Sequence, residues 1–361
     1  MKRIFVSVIN DMTNDQRVNR VCNSLCDMGF DVVVLCRRLK TSSELEPRRY
    51  TIKRFRLLIN RGFFFYACFN LRLFFYMLFH RCDALLSNDL DTLFANASIS
   101  RLKNKKLFYD THELFTELPE LQNSRFKKKV WLWIERHCIH RPVATYTVCN
   151  SIAKYYNEKY DLDMKVVRNL PTSKDMQPYE PRENILLYQG ALNIGRGIEL
   201  LIEMMKHIPD YKLYIAGKGY MDSKLKKLTA NLNLIDKVVF TGNLRFDELH
   251  DLTSRAKIGF SVEQGDSLNY KYALPNKIFD YIQAGTPVVC SDFPEMRTVV
   301  ESYAVGEIFA GHDAESLAVL VKSMLDNDAK LIEYHNNCIK TSKVLNWENE
   351  QKVLYGIYED K

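Results

Sequence analysis

Two successive series of short apolar runs, separated by helix-length segments, restrict this chain more than any other feature. The first series occupies 3–9, 31–36, 83–87, 106–110 and 145–149, and the second 184–188, 212–216, 237–241, 258–262 and 287–290. Runs this short and this continuously apolar suit strands buried on both faces, as in parallel sheets covered by helices. Helical patterns around 15–28, 63–79, 92–102 and 127–140 separate the members of the first series. An α/β fold of two doubly wound domains is therefore expected. The polar stretch 169–183, with Pro171, Pro178 and Pro181, reads as the linker between domains at 1–168 and 184–345. The tail 346–361 has apolar residues at helical spacing. In open α/β sheets ligands sit at the carboxyl ends of strands, so a site in a cleft between the two domains is expected.

A length of 361 residues agrees with two cores, and a hydrophobic content of 47% is ample for burial. The nine cysteines are scattered, without CxxC or zinc-like spacing, and read as reduced core thiols rather than disulfides. Residues 1–10 read as a strand, not a signal peptide. Charge is uneven: residues 1–170 carry 29 Lys/Arg against 17 Asp/Glu, whereas 171–361 carry 22 against 27. That asymmetry points to an anionic partner for the first half, a membrane surface or, less favoured because no recognition motif accompanies it, a nucleic acid.

Residues 274–292, LPNKIFDYIQAGTPVVCSD, carry the most chemistry. Pro275 suits the first turn of a helix. The free N–H groups there, joined by Asn276 and the charge of Lys277, suit a phosphate. Asp280, nearly one turn on, can accept from a sugar hydroxyl. The bland alternative is a helix with one solvated Lys and one solvated Asp. Arg196, between Gly195 and Gly197, is placed to grip phosphate bidentately, with a ligand-free surface arginine as its alternative. No complete GxGxxG occurs, which argues against a nicotinamide or flavin enzyme.

The segment 274–292 resembles the donor-binding signature of family 4 retaining glycosyltransferases, which have the GT-B fold. It is most similar to the subgroup reading PNK, then an acidic residue, AG and PVV. The resemblance implies two Rossmann-like domains facing across a cleft, with a terminal helix crossing back to the first. It makes Asp280 the ribose-binding acid, where the family usually has Glu. The family's second, upstream Glu is Ala273 here, which leaves part of its role to Lys277. Gly190, followed by Ala191 where many members have Arg, and then Arg196 resemble the diphosphate-binding turn. Gly217 resembles the next strand end, and Gly242, Asn243 and Leu244 the one beside the nucleobase. His112 matches a His that faces the donor sugar, although a lone His is also a common structural residue.

Asp11, Arg17, Asp89 and Glu113, near strand ends of the first half, are candidates for the acceptor side. Asp and Asn at such places also serve as turn and cap residues. The aromatic-rich stretch 61–81 is too short and too punctuated to read as a membrane span. The stretch 125–141 joins Lys127, Lys128 and Lys129 to Trp131 and Trp133, and reads either as a helix on an anionic bilayer or as a sheet-packing helix with a basic outer face.

By resemblance, the expected activity is transfer of a sugar from a UDP- or GDP-linked donor to a hydroxyl of a glycan or lipid-linked acceptor. Retention of configuration, no metal and no further cofactor are implied, with His112, Arg196 and Lys277 as catalytic groups. Bacterial surface polysaccharide synthesis, in the cytoplasm or on the inner face of the membrane, is the implied setting. A GT-B sugar-nucleotide epimerase and a non-catalytic nucleotide-sugar or membrane-binding protein remain open alternatives.

Overall fold

The computed structural model describes residues 1–118, 121, 124–174, 178–265 and 267–359, apart from the side chain of Phe63. Residues 175–177 of the expected linker and 360–361 of the tail lie outside the described residues. Two compact units are present. The first comprises Met1–Asn169, Ser267–Asn269 and Glu350–Lys361, and the second Leu170–Asp266 and Tyr270–Asn349.

The first unit runs β1 (Arg3–Ser7), α1 (Gln16–Asp27), β2 (Asp31–Arg38), β3 (Thr51–Arg56), α2 (Phe63–Phe79), β4 (Ala84–Asn88), α3 (Leu90–Lys103), β5 (Lys106–Thr111), α4 (Arg125–Cys138), β6 (Ala144–Thr147), α5 (Asn150–Tyr160) and β7 (Lys165–Val166). Its strands form one parallel sheet in the order β3-β2-β1-β4-β5-β6-β7. Strand β4 is buried at every residue, which is why its sequence is apolar without alternation. The edge strands β3 and β7 do not show in the apolar runs. TIKRFR in β3 alternates and carries basic residues, the composition that blunts an exposed sheet edge.

In the second unit β8 (Glu183–Gln189), α6 (Ile198–Met204), β9 (Lys212–Ala216), α7 (Asp222–Asn231), β10 (Val238–Gly242), α8 (Phe246–Arg255) and β11 (Ala256–Ser261) come first. Along the chain a short α9 (Leu268–Lys271), α10 (Asn276–Gln283), β12 (Val288–Ser291), α11 (Pro294–Tyr303), β13 (Gly306–Phe309), α12 (Ala314–Leu325), α13 (Asp328–Ser342) and α14 (Trp347–Glu359) follow, α9 and α14 each being divided between the two units. Its parallel sheet has the order β10-β9-β8-β11-β12-β13. The order reverses between β8 and β11, and in the first unit between β1 and β4, so each sheet opens a crevice at the carboxyl ends of those strands. Each sheet is parallel and doubly wound, the Rossmann-like form expected of both domains. Pro275 caps α10 from the residue before the helix, in extended conformation, rather than lying in its first turn.

The described part of the expected linker is tied into the second unit: Trp347 N–H donates to Pro171 O at 2.8 Å, and Ser173 N–H to Glu348 at 3.0 Å. Residues of α14 from Glu350 onward belong to the first unit. There Glu350 accepts from Arg168 at 2.8 Å, and Tyr358 stacks on Phe108 with centroids 4.0 Å apart. All nine cysteines are free, and burial raises the thiol pKa of Cys22, Cys36, Cys290 and Cys338. Among the described residues no helix is long and apolar enough to cross a membrane.

Tyr358 fills the space against Phe108 and its hydroxyl lies 3.2 Å from that of Tyr146, all buried. Tyr358→Ala should therefore cost about 3–5 kcal/mol, in the range of large aromatic truncations. Tyr358→Phe should cost far less. Urea unfolding of both variants measures the difference.

Candidate active site

At the crossover of the second sheet, the turn after β8 must pass under the ends of two neighbouring strands. Gly190 N–H donates to Ala216 O at 2.9 Å, and Gly217 N–H donates to Gly242 O at 2.8 Å. A Cβ on Gly217, whose φ is +149°, would meet Gly190 O at 1.9 Å. One on Gly197, with φ of +69°, would lie 1.9 Å from Val262 O. Only glycine allows these approaches, and they bring the Arg196 turn against the residues that follow β11.

Glu263 is among those residues, and the sequence patterns did not single it out. It is fully buried, and its Oε1 lies 2.8 Å from Lys277 Nζ and 3.7 Å from Arg196 Nη1. Its Oε2 accepts from the Ser261 hydroxyl at 2.8 Å. Burial pushes the carboxyl pKa up, but Lys277, Ser261 and Arg196 outweigh it and hold the group below its ordinary value. Burial pulls the Lys277 ammonium down, against the pull of Glu263. The 2.8 Å contact and the supporting donors favour the charged pair. Lys277 is only 8% exposed and its Nζ lies 4.3 Å from the centroid of the Tyr188 ring, so the solvated-lysine alternative is excluded. The only signal for Glu263 was its place after an apolar strand.

Arg196 is partly exposed, with its guanidinium 5.6 Å from the centroid of the Tyr270 ring. Its Nε is buried and has no hydrogen-bond partner among the described residues. Asp280, on α10, accepts from Gln189 Nε2 at 3.1 Å, and Gln189 Oε1 accepts from Thr253 at 2.9 Å. Asp280 and Gln189 share a narrow groove with Lys174, Phe246 and His250. Asn276 is exposed at the first position of α10, and Asn243 and Leu244 follow β10, with Asn243 exposed.

The first unit has a separate cluster at the ends of β4 and β5. Asp89 adopts a φ of +56°, uncommon for a side-chain-bearing residue. Its backbone N–H donates to Asp110 O at 2.8 Å. Its carboxylate accepts from His112 N–H at 2.8 Å and lies 3.2 Å from His112 Nδ1. His112 Nε2 lies 3.2 Å from the buried Asp110, at an angle too poor for a full hydrogen bond. Burial lowers the imidazole pKa, yet the two flanking carboxylates overcome it and raise it well above the ordinary value of 6.5. His112 is therefore an imidazolium at neutral pH. Glu113 is half-buried, and its carboxylate lies 3.4 Å from Asn269 Nδ2.

Arg17 does not take the acceptor-side place expected of it. It is 3% exposed, and two of its nitrogens meet Asp110 at 2.7 and 3.0 Å while a third donates to Val167 O at 2.8 Å. Its work is to hold Asp110 ionised beneath His112, burial opposing and Arg17 leading the opposition. Asp11 is engaged in its own loop, accepting from Thr13 N–H at 3.1 Å and Ser42 Oγ at 2.5 Å. Asp15 caps α1 through Val18 N–H at 2.9 Å. Trp131 and Trp133 of α4 part company: Trp131 is buried against Tyr66 and Phe115, and Trp133 is half exposed. Trp131 is thus no membrane contact, because its ring is spent on the core.

Two family models match the chain. "Glycosyl transferases group 1" covers residues 172–344 and "Glycosyltransferase Family 4" covers 16–172. The chain is 29% identical over 223 residues to the O-antigen chain mannosyltransferase RfbU of Salmonella typhimurium, spanning 60% of each protein. It is 24% identical over 196 residues to the chitobiosyldiphosphodolichol beta-mannosyltransferase of Candida albicans, covering 52% of this chain and 41% of that one. Among solved structures, sucrose-phosphate synthase from Thermosynechococcus elongatus superposes with a TM-score of 0.85 at 18% identity, over 100% of this chain and 99% of the other. Anabaena HepE in complex with UDP-glucose gives 0.77 at 14% identity, over the whole of both chains. By these matches the first unit is similar to family 4 glycosyltransferases and the second to group 1 glycosyl transferases, and the fold is that of the GT-B enzymes.

Because the folded pKa of His112 lies above the unfolded value, its contribution to stability is complete below about 6.5 and fades as pH rises through the folded pKa. Stability should therefore fall on the alkaline side of neutrality, and His112→Gln should flatten that slope. Chemical denaturation from pH 6 upward tests this; equal slopes in both proteins reject the assignment.

Proposed function

We propose that this chain, whose two units match glycosyltransferase family models, transfers a sugar from a nucleotide diphosphate donor to an acceptor hydroxyl with retention and without a metal. The observation that carries the reading is the placing of Lys277 and Arg196 on one buried carboxylate, at a sheet crossover beside the first turn of α10. As the anomeric C–O bond breaks, the leaving diphosphate gains negative charge. Cations fixed in advance, together with the first N–H groups of α10, stabilise that charge without reorganising. Glu263 supplies the fixing, since it holds Lys277 at 2.8 Å.

In this reading Asp280 accepts from the ribose, and the ends of β8, β9 and β10 at Gly190, Gly217, Gly242, Asn243 and Leu244 hold the nucleotide. The resemblance assigns His112, here held between two carboxylates, to the donor's sugar or β-phosphate. Retention follows if the acceptor hydroxyl attacks from the face the diphosphate leaves and passes its proton to the departing phosphate oxygen. The name of the Salmonella relative supports a surface-polysaccharide acceptor, and the UDP-glucose bound by HepE supports a nucleotide-sugar donor, UDP- or GDP-linked. The exposed outer face of α4, with Phe126, Lys127, Lys129 and Trp133, is proposed to rest on the inner face of an anionic membrane.

Arg196→Ala should leave folding nearly intact and remove roughly 3 kcal/mol of transition-state stabilisation, about a hundredfold in kcat/KM. Glu263→Gln should lower both stability and turnover, by about 3–5 kcal/mol for stability, because Lys277 is left buried without its counter-charge. Asp280→Asn should weaken donor affinity. A panel of UDP- and GDP-sugars assayed for transfer and for donor hydrolysis is the decisive measurement. No turnover of any donor, or an Arg196→Ala enzyme as fast as wild type, rejects the reading.

A further inference from the structure

The two cations of the second unit are held in different ways. Lys277 is hydrogen-bonded to Glu263 at 2.8 Å. Among the described residues the Arg196 guanidinium makes no hydrogen bond. Its Nη1 stands 3.7 Å from Glu263, close enough for an ion pair and too far for a hydrogen bond, and its buried Nε has no partner. Charge at that distance fixes neither the plane nor the direction of a guanidinium fork, and a long side chain left free keeps its rotamer entropy.

An aromatic ring supplies the missing restraint. The guanidinium carbon of Arg196 lies over Tyr270, 5.6 Å from the ring centroid, within the range in which a cation is attracted to an aromatic face. Tyr270 is half-buried and is itself held from several sides. Its hydroxyl donates to Ile194 O at 3.1 Å, two residues before the arginine. A Cβ on Gly265 would meet Tyr270 Cδ2 at 2.8 Å, and one on Gly195 would stand 3.3 Å from the ring and 2.7 Å from Gln264 O. Both glycines have a positive φ, +153° and +79°, so the ring is seated between two stretches of backbone that glycine alone lets it approach.

The turn that carries Arg196 is tied down as well. Gln264 N–H donates to Gly195 O at 2.8 Å, and Ile194 N–H donates to the Tyr220 hydroxyl at 3.0 Å. Two tyrosines therefore hold the backbone at Ile194 from opposite ends of one residue. Tyr220 holds the turn, whereas Tyr270 holds both the turn and the guanidinium.

We propose that Tyr270 is a positioning residue for the donor diphosphate. Its ring fixes the plane of Arg196, so that the cation already points where the leaving phosphate gains charge. This rests on the transferase reading, to which it adds a residue outside the phosphate-binding turn and outside α10.

Four variants separate this role from simple support of the turn. Tyr270→Leu should lower kcat at least about tenfold and change KM by less than about threefold, because a misdirected cation forfeits mainly the charge that develops in the transition state. Tyr270→Phe keeps the ring, loses the bond to Ile194, and should stay within about threefold of wild type. Tyr220→Phe removes the other bond to Ile194 and should stay within about twofold. In an Arg196→Ala background Tyr270→Leu should cost less than about a further twofold, since no guanidinium is left to position. Tyr270→Met serves the same comparisons if Tyr270→Leu fails to fold.

Equal losses from Tyr270→Leu with Arg or Ala at position 196 overturn the proposal. A Tyr270→Phe enzyme as slow as Tyr270→Leu overturns it too, and makes the bond to Ile194 the whole effect. A wild type that turns over no nucleotide sugar defeats the transferase reading, and this role with it. A wild type that turns over donor and is indifferent to Tyr270→Leu defeats only the present inference.

Discussion

Glu263 carries a full charge out of water at the carboxyl end of β11, and the rest of the proposed donor site is arranged around that charge. An isolated carboxylate in that position would take up a proton. It stays ionised because Lys277, the Ser261 hydroxyl and Arg196 converge on it. That convergence depends in turn on Gly197, whose missing side chain lets the Arg196 turn lie against Val262. Backbone clearance therefore determines where the cations stand. Their separation and direction are set before any ligand arrives, which is the condition for electrostatic stabilisation of a leaving group.

The first unit solves a similar problem in two opposite ways within a few residues. Asp110 is buried and ionised, because Arg17 meets it with two nitrogens. Asp91 is buried with no such pairing, and burial first, then Asp89 and Glu113, raise its pKa well above the ordinary carboxylate value against the pull of His112 and Arg37. One aspartate can therefore support the charge on His112, while burial disfavours the charge on the other. Environment alone separates the two roles.

The central strands were legible because burial on both faces demands unbroken apolar runs. The edge strands β3, β7 and β13 were not, since an edge has one neighbour and tolerates charge, glycine or a length of two residues. At the sites, the residues with a local signature stood out: Arg196 between glycines, Lys277 after Pro-Asn, His112 at a strand end. Glu263 and Asp91 have no local signature. Their significance comes from what lies opposite them in space. Arg17 and Trp131 could not be placed from the sequence for the same reason, because a cation after a strand or a tryptophan beside lysines looks alike whether it faces solvent or the core.

The sequence by itself determined that there would be two parallel α/β units and roughly where their strands begin. Periodicity and composition suffice for that, because each depends on neighbours along the chain. The tertiary structure decided which charges are buried, which partners keep them ionised, and that a cavity lies among α2, α3 and α4. Those properties depend on distance and dielectric between residues far apart in sequence. Arg17 and Asp110 are 93 positions apart yet meet at 2.7 Å, and no pattern read along the chain records such a meeting.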